Sequence, residues 1–365
     1  MGIAMNKTEM NSIILIPSYE PEGKLLNYIK ELKQYGLSHI VVVDDGSGKA
    51  YQWVFQTLEE EGCIVLRHQV NLGKGAALKT GYNYIKETMP DYGCVATVDS
   101  DGQHAPKDVD SLAKEAIGNP SALILGERDF KSKGIPVKSL FGNRITSAIF
   151  AMLYGIYLPD TQTGLRAFGP PLMDHMIGIK GCRFEYEMQV LITCIRLKIP
   201  IRTISIQTIY EQENAGTHFN AVVDSLKIMG VILSNFMKFF YSSIISSVID
   251  ISIAWVMLDF LRIFFAGEDF LRIICATAVA RSISISVNYQ LNKRLVFNDR
   301  QTGIHGVFRY LSLSVLIMLL SAVSVYLLHK RLLINEKAAK IICDMSLFFL
   351  SYHIQRRWVF QSKEI

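Results

Sequence analysis

The apolar positions of this chain change rhythm about two-thirds of the way along. In the first half, short apolar runs alternate with amphipathic stretches: Ser12–Ile16, 21–35, His39–Val43, 49–61, Ile64–Leu66, 74–88, Val95–Val98, 106–118 and Leu123–Gly126. That alternation predicts parallel strands joined by crossover helices. Beyond residue 237 the pattern gives way to four long apolar runs, 239–261, 271–291, 310–328 and 338–354. Each is about long enough to cross a hydrocarbon core of ~30 Å as a helix, although the second and fourth contain charge. Two further segments are amphipathic. In 138–157, Phe141, Ile145, Ile149, Met152 and Leu153 interleave with Lys138, Asn143 and Arg144, and 219–236 directly precedes the first apolar run. Both patterns fit core-facing helices and helices lying in a membrane interface equally well. The chain therefore divides into an α/β domain over 1–218, a juxtamembrane helix over 219–236 and an all-α membrane domain of four helices over 237–365.

Charge sharpens this division. Residues 1–236 carry 23 Lys/Arg against 25 Asp/Glu, a net of 23−25 = −2, whereas 237–365 carry 15 against 8, a net of 15−8 = +7. The basic excess belongs to the membrane third, and no nucleic-acid partner is expected. Residues 1–11 are polar and Ile13–Ile16 is too short for a signal-peptide core, so the first domain is expected in the cytosol, on a multi-pass protein of the cytoplasmic membrane. Lys293, Arg294, Arg300, Arg309, Arg356 and Arg357 agree with that orientation, whereas Lys330, Arg331, Lys337 and Lys340 run against it. The six cysteines are scattered singly, without metal-type or disulfide spacing, and read as reduced packing residues.

The membrane third contains a repeat. Asn288-Tyr-Gln-Leu-Asn-Lys-Arg-Leu-Val-Phe297 matches Ser351-Tyr-His-Ile-Gln-Arg-Arg-Trp-Val-Phe360 at a constant offset, 352−289 = 63 and 360−297 = 63. Two helical hairpins of common descent explain it most simply. The offset maps Arg281 onto Asp344. An unpaired charge near mid-bilayer costs ~2.5–3.5 kcal/mol on insertion scales, so Arg281 is expected to face the bundle interior and pair with Asp344 or Asp250.

In a parallel sheet the ligand sits beyond the carboxyl ends of the strands. The segments found there are Pro17-Ser-Tyr-Glu20, Asp44-Asp-Gly-Ser47, Asn71-Leu-Gly-Lys-Gly75, Asp99-Ser-Asp-Gly-Gln103 and Gly126-Glu-Arg128. Asp99 and Asp101, directly after a buried strand, form a pair able to hold a hard divalent cation that binds a diphosphate. A solvated turn would show the same residues, and the position of the pair in a series of such strand ends favours the site. The glycine-lysine motif lacks the P-loop spacing.

With these motifs in place, the chain resembles the inverting family-two glycosyltransferases of the dolichol-phosphate-mannose-synthase-like branch, which use polyprenyl phosphate acceptors. The resemblance covers about residues 12–218. It includes Asp160-x-Gln-Thr-Gly-Leu-Arg166 and Gly216-Thr-His218, and departs at Glu20, where the family commonly has Asn. It implies a GT-A type domain with a mostly parallel sheet. Pro17, Tyr19, Glu20, Asp44 and Asp45 would line the nucleoside pocket. Gly73, Lys74 and Gly75 would let the backbone approach the donor, with Ser100, Arg166, Glu185 and His218 near it. Asp99, Asp101 and Gln103 would hold Mg²⁺ or Mn²⁺. Glu185 and Glu187 lie at i and i+2, so they cannot share a helix face, and Glu185 is preferred.

The acceptor changes what such an enzyme must supply. A phosphate monoester with a second pKa near ~6 is already a nucleophile at neutral pH, so the site needs an anion anchor in place of a general base. Arg128 and Arg144 are the candidates, since an arginine fork suits phosphate. Pairing with Glu127 and Asp129 is the alternative. The C-terminal third resembles the GtrA-like membrane family, proposed to move polyprenyl-linked sugars, through Asn288-Tyr289, Asn292-Lys-Arg294 and Val296-Phe297. Gln355-Arg-Arg-Trp358 is one residue short of the Gln-x-x-Arg-Trp signature of processive synthases, and the repeat accounts for it.

The resulting expectation is inverting transfer of a hexose, glucose from UDP first, to undecaprenyl phosphate, in a membrane protein compatible with homo-oligomers. N-acetylglucosamine, galactose and GDP-mannose remain open. The alternatives are a processive polysaccharide synthase and a lipid-linked sugar transporter with a nucleotide-sugar sensor domain.

Overall fold

The computed structural model describes residues 12–21, 23–128, 137–207, 223–265, 267–299 and 302–360. The chain forms two compact units, Met1–Ile232 and Leu233–Ile365.

The described part of the first unit is a seven-stranded sheet flanked by helices. Strands β1 (Ser12–Ser18), β2 (Ile40–Asp44), β3 (Ile64–Arg67) and β4 (Cys94–Thr97) pair in parallel in the order β3-β2-β1-β4. Their crossovers contain α1 (Lys24–Gln34), α2 (Gln52–Glu60) and α3 (Lys74–Thr88). The apolar runs predicted as strands are buried on both faces: Ile14, Leu15, Ile16, Val41, Val42 and Val43 are all fully enclosed. At roughly 1.5–3 kcal/mol for each such side chain, their burial dominates the packing of the sheet.

Past α4 (Pro106–Gly118) and β5 (Leu123–Arg128) the chain departs from simple alternation. Helix α5 (Val137–Tyr154) leads to β6 (Arg166–Phe168), which inserts antiparallel between β4 and β5. Two helices, α6 (Met173–Gly178) and α7 (Glu185–Arg196), precede β7 (Ile201–Ile206), which pairs with β5 in parallel. None of the elements from β6 to β7 stood out in the hydrophobic pattern. β6 has only three residues, and β7, at the end of the strand order, buries little beyond Ile206.

The second unit is helical. Helix α8 (Val223–Leu261) absorbs the expected juxtamembrane helix from Val223 onward, because no proline and only Gly230 weakens that stretch. It is followed by α9 (Asp269–Leu291), α10 (Ile304–Leu332) and α11 (Glu336–Ile354). Among the described residues three helices are long and apolar enough to cross a membrane, Asp224–Leu261, Asp269–Val296 and Ile304–Leu332. The fourth expected helix forms as α11, with Glu336, Lys337, Lys340 and Asp344 concentrated in its first half.

The repeat is visible in three dimensions. Helices α9 and α11 both run into a five-residue π turn, Asn292–Val296 and Gln355–Val359, at the same offset of 63. The two equivalent residues, Asn292 and Gln355, hydrogen-bond to each other (Nδ2 to Oε1, 3.0 Å). Each also bonds the residue four earlier on its own helix, Asn288 at 2.6 Å and Ser351 at 3.0 Å. Ser242 donates to Asn292 Oδ1, which ties α8 into this buried knot.

Candidate active site

Three neighbouring parallel strands bring the predicted motifs to one edge. The register pairs Ser18 with Asp44 and Leu15 with Thr97, so the segments following β1, β2 and β4 emerge side by side. The backbone N–H of Asp45 donates to Ser18 O at 2.8 Å, and that of Glu20 to Ser47 Oγ at 2.8 Å. Asp44 Oδ1 accepts from Ser47 N at 2.9 Å. Pro17 is buried, while Tyr19 and Glu20 are half-buried at this edge.

Asp45, expected at the nucleoside pocket, also braces the loop that follows β3. Its carboxylate accepts from Leu72 N (2.9 Å) and Gly73 N (2.7 Å) and contacts His68 Nδ1 at 2.8 Å, so it organises the chain ahead of α3. The glycines of that motif likewise serve the protein's own packing. A Cβ on Gly73, whose φ is +101°, would stand 2.6 Å from Cys182 O, and one on Gly75 would stand 2.6 Å from Tyr186 Cβ.

The centre of the site is Lys74. Its ammonium lies 2.6 Å from Asp99 Oδ1 and 2.9 Å from Glu187 Oε1, with all three side chains largely enclosed. Burial works against that ammonium, but Asp99 and Glu187 more than reverse the effect and keep it charged. Burial would likewise raise the Asp99 carboxyl. Lys74, followed by His104 with Nε2 3.6 Å away, outweighs it and holds Asp99 well below the usual carboxylate range. Asp101 goes the other way. Burial and then the Asp99 charge push its carboxyl up, and the backbone N–H of Gln103, 3.1 Å from its Oδ1, only partly offsets them.

Several polar atoms in this part of the unit have no partner among the described residues: Tyr28 Oη, His104 Nδ1, Thr163 Oγ1 and Arg166 Nη2. Buried polar groups are normally satisfied, so such a set is unusual. Burial, and then the nearby Asp101 and Asp99, raise the Tyr28 phenol. Sequence reasoning missed Tyr28, because it lies on the apolar face of α1 with Leu25, Ile29 and Leu32. It also missed Glu187. The first turn of α7 turns Glu187 toward Lys74, while Glu185 Oε1 accepts from the backbone of Cys182 (3.1 Å) and Arg183 (3.2 Å).

Arg166 is buried and donates to Thr163 O (2.9 Å) and Glu187 O (2.7 Å), a role in holding loop and helix together. Arg128 forms a two-pronged ion pair with the fully buried Asp160, at 2.6 and 2.9 Å, and Asp129, one of the acids expected beside it, lies outside the described residues. Arg144 is exposed on α5, as are Ile145 and Met152 on the same helix and Ile156 just after it. The expected His218 lies outside the described residues.

Two family models match this chain. Residues 13–189 match Glycosyl transferase family 2. Residues 238–360 match the GtrA/DPMS transmembrane domain. An uncharacterized protein of Methanocaldococcus jannaschii is 31% identical over 229 residues, 62% of this chain and 91% of that protein. The chain belongs to glycosyl transferase family 2.

This glycosyltransferase is also similar to the UDP-N-acetylglucosamine–dolichyl-phosphate N-acetylglucosaminyltransferase of Methanococcus voltae. The two are 28% identical over 228 residues, 58% of this chain and 90% of the relative. A dolichyl-phosphate beta-glucosyltransferase of Trichomonas vaginalis is 29% identical over 174 residues, 42% of this chain and 52% of that enzyme. The glycosyltransferase is a membrane protein of GT-A type, with its apolar helices in the GtrA/DPMS region. Within that region Arg281 Nη1 lies 3.5 Å from Asp250 Oδ2, and its side chain is 66% exposed where an interior position was expected. Ser321 donates to Asp344 at 2.7 Å.

Proposed function

We propose that this glycosyltransferase moves a hexose from a nucleotide diphosphate sugar to polyprenyl phosphate with inversion, UDP-glucose being the first donor to test. The observation that carries the reading is the carboxylate pair after β4, in which Asp99 is neutralised by Lys74 while Asp101 is not. Two of the three relatives quoted above are named as dolichyl-phosphate glycosyltransferases, one for N-acetylglucosamine and one for glucose, so the sugar stays open.

The site suits a divalent cation. Among the described residues no group of three or more His, Cys, Asp or Glu could hold one. Mg²⁺, however, takes one or two protein carboxylates and completes its shell with substrate phosphates and water. Asp101 and Asp99, with Gln103 beside them, would hold Mg²⁺ or Mn²⁺, which when bound neutralises the departing nucleoside diphosphate. Lys74 keeps Asp99 ionised and oriented toward that position. Tyr19 and Glu20 border the side where the nucleoside would lie. No residue need deprotonate the acceptor, because a phosphate monoester is nucleophilic at neutral pH.

Acceptor binding falls to Arg144 in preference to Arg128, whose fork Asp160 already fills. The exposed Ile145, Met152 and Ile156 would rest α5 in the interface on the cytosolic side, where lipid head groups lie. Arg144→Ala should then raise KM for lipid phosphate several-fold with little change in KM for the donor. Steady-state kinetics on full-length protein in nanodiscs decide this. Equal changes in both constants would remove Arg144 from the acceptor site, and equal turnover of undecaprenol and undecaprenyl phosphate would overturn the proposed acceptor.

A further inference from the structure

A buried tyrosine packs against the acidic turn that follows β4. Tyr28 is 3% exposed and shares the buried face of α1 with Leu25, Ile29 and Leu32. A Cβ added to Gly102, the residue after Asp101, would stand 3.7 Å from both Tyr28 Cβ and Tyr28 Cγ, so the turn faces the root of that side chain. The ring is well packed, but its hydroxyl is not satisfied: Tyr28 Oη has no hydrogen-bond partner among the described residues. A position that needed only a ring would take phenylalanine, because an unpaired buried hydroxyl costs free energy. Of the charges around this hydroxyl, Asp101 acts on it most, ahead of Asp99, Glu31 and Asp108, with burial the larger cause of its raised pKa.

Asp101 is the acceptor with room for this donor. Among the described residues its carboxylate receives a single hydrogen bond, from Gln103 N to Oδ1 at 3.1 Å. Asp99 is better supplied, with Lys74 Nζ at 2.6 Å and His104 Nε2 at 3.6 Å. His104 also has an orphaned nitrogen, Nδ1, but its ring is already turned on Asp99. Carboxylates that hold a cation are themselves oriented by hydrogen bonds from a surrounding ring of groups, and losing one of these weakens the metal site. Tyr28 is too deeply buried to touch a substrate, so it acts through its neighbour.

We infer that Tyr28 is a positioning residue for the cation site, its hydroxyl donating to the Asp101 carboxylate when that carboxylate carries a divalent cation and so fixing the direction in which it points. The inference rests on the cation reading of Asp99 and Asp101 given above.

The test needs no turnover. Tyr28→Phe keeps the ring and removes only the donor. Mn²⁺ binding to full-length protein in nanodiscs, with UDP or GDP present, is followed by electron paramagnetic resonance, and the metal-free wild type and variant are unfolded thermally. The Kd for Mn²⁺ should rise roughly 10–100-fold in the variant, the usual cost of losing an orienting bond around a metal site. The metal-free Tm should stay at or above that of wild type, since the variant buries one unsatisfied hydroxyl fewer. An unchanged Kd, with wild type binding Mn²⁺, would overturn the role of Tyr28 and leave the cation reading standing. A metal-free Tm well below that of wild type would show the hydroxyl already bonded without the cation, which makes Tyr28 a structural residue and overturns the inference. If wild type bound no Mn²⁺ with either nucleotide, the cation reading would fall and the inference with it.

Discussion

Asp101→Asn should reduce turnover by roughly 10²-fold or more, the size of effect seen when a preorganised charge-stabilising group is removed from an active site. The same change should raise the thermal stability of the metal-free protein. Asp101 is held above its ordinary pKa by burial and by Asp99, so the folded state binds its proton more tightly than the unfolded state does. The stability this proton confers is present at low pH and is lost as pH rises from about 4 upward through the folded pKa. The asparagine variant, having no charge to confine, escapes that loss. Wild type and variant should therefore diverge in Tm toward neutral pH, and Mg²⁺ should close the gap by stabilising wild type alone. Turnover within tenfold of wild type, or a variant less stable than wild type at pH 7 without metal, would remove Asp101 from its assigned role.

Gly164→Ala should be nearly as damaging to turnover, although it removes no chemical group. A Cβ on Gly164 would stand 2.6 Å from Asp99 Cγ, so the Asp99 carboxylate rests directly on that glycine's backbone. The carbonyl of Gly164 is fixed in turn by Thr97 Oγ1 at 3.0 Å. The added methyl group must push Asp99 off Lys74. Displacements near 1 Å in catalytic positions cost on the order of 10²-fold in rate, and overpacking of this kind costs about 1–3 kcal/mol in stability. Turnover and thermal unfolding of the purified variant check both. A folded alanine variant with wild-type turnover would mean that the position of Asp99 does not matter.

These two residues show what the sequence could and could not disclose. The strands of the parallel half were legible because short apolar runs such as Val41–Val43 are buried on both faces, and the acidic motifs followed from where those strands end. Gly164 belongs to a motif readable from sequence, but its purpose depends on β6 running antiparallel beside β4, which three residues of strand cannot announce. Helix geometry separated Glu185 from Glu187 without saying which one faces Lys74. That depends on how α7 packs against α3, through the close approach of Gly75 to Tyr186. The offset of 63 pointed to two related hairpins, and the structure adds what it did not foretell, the paired π turns and the bond between Asn292 and Gln355. It related Arg281 to Asp344 by descent, and of the two partners expected for Arg281, Asp344 and Asp250, the ion pair in the structure is with Asp250.

Mass spectrometry of the lipid product tests the transfer reading most directly. Purified full-length protein in nanodiscs containing undecaprenyl phosphate is supplied with Mg²⁺ or Mn²⁺ and, in separate reactions, UDP-glucose, UDP-N-acetylglucosamine, UDP-galactose or GDP-mannose. One donor should yield a β-linked glycosyl phosphoprenol in equal amount to the nucleoside diphosphate released, and the yield should fall to background in excess EDTA. Nucleoside diphosphate released without any lipid-linked sugar, or a growing glycan chain in place of a single residue, would contradict it.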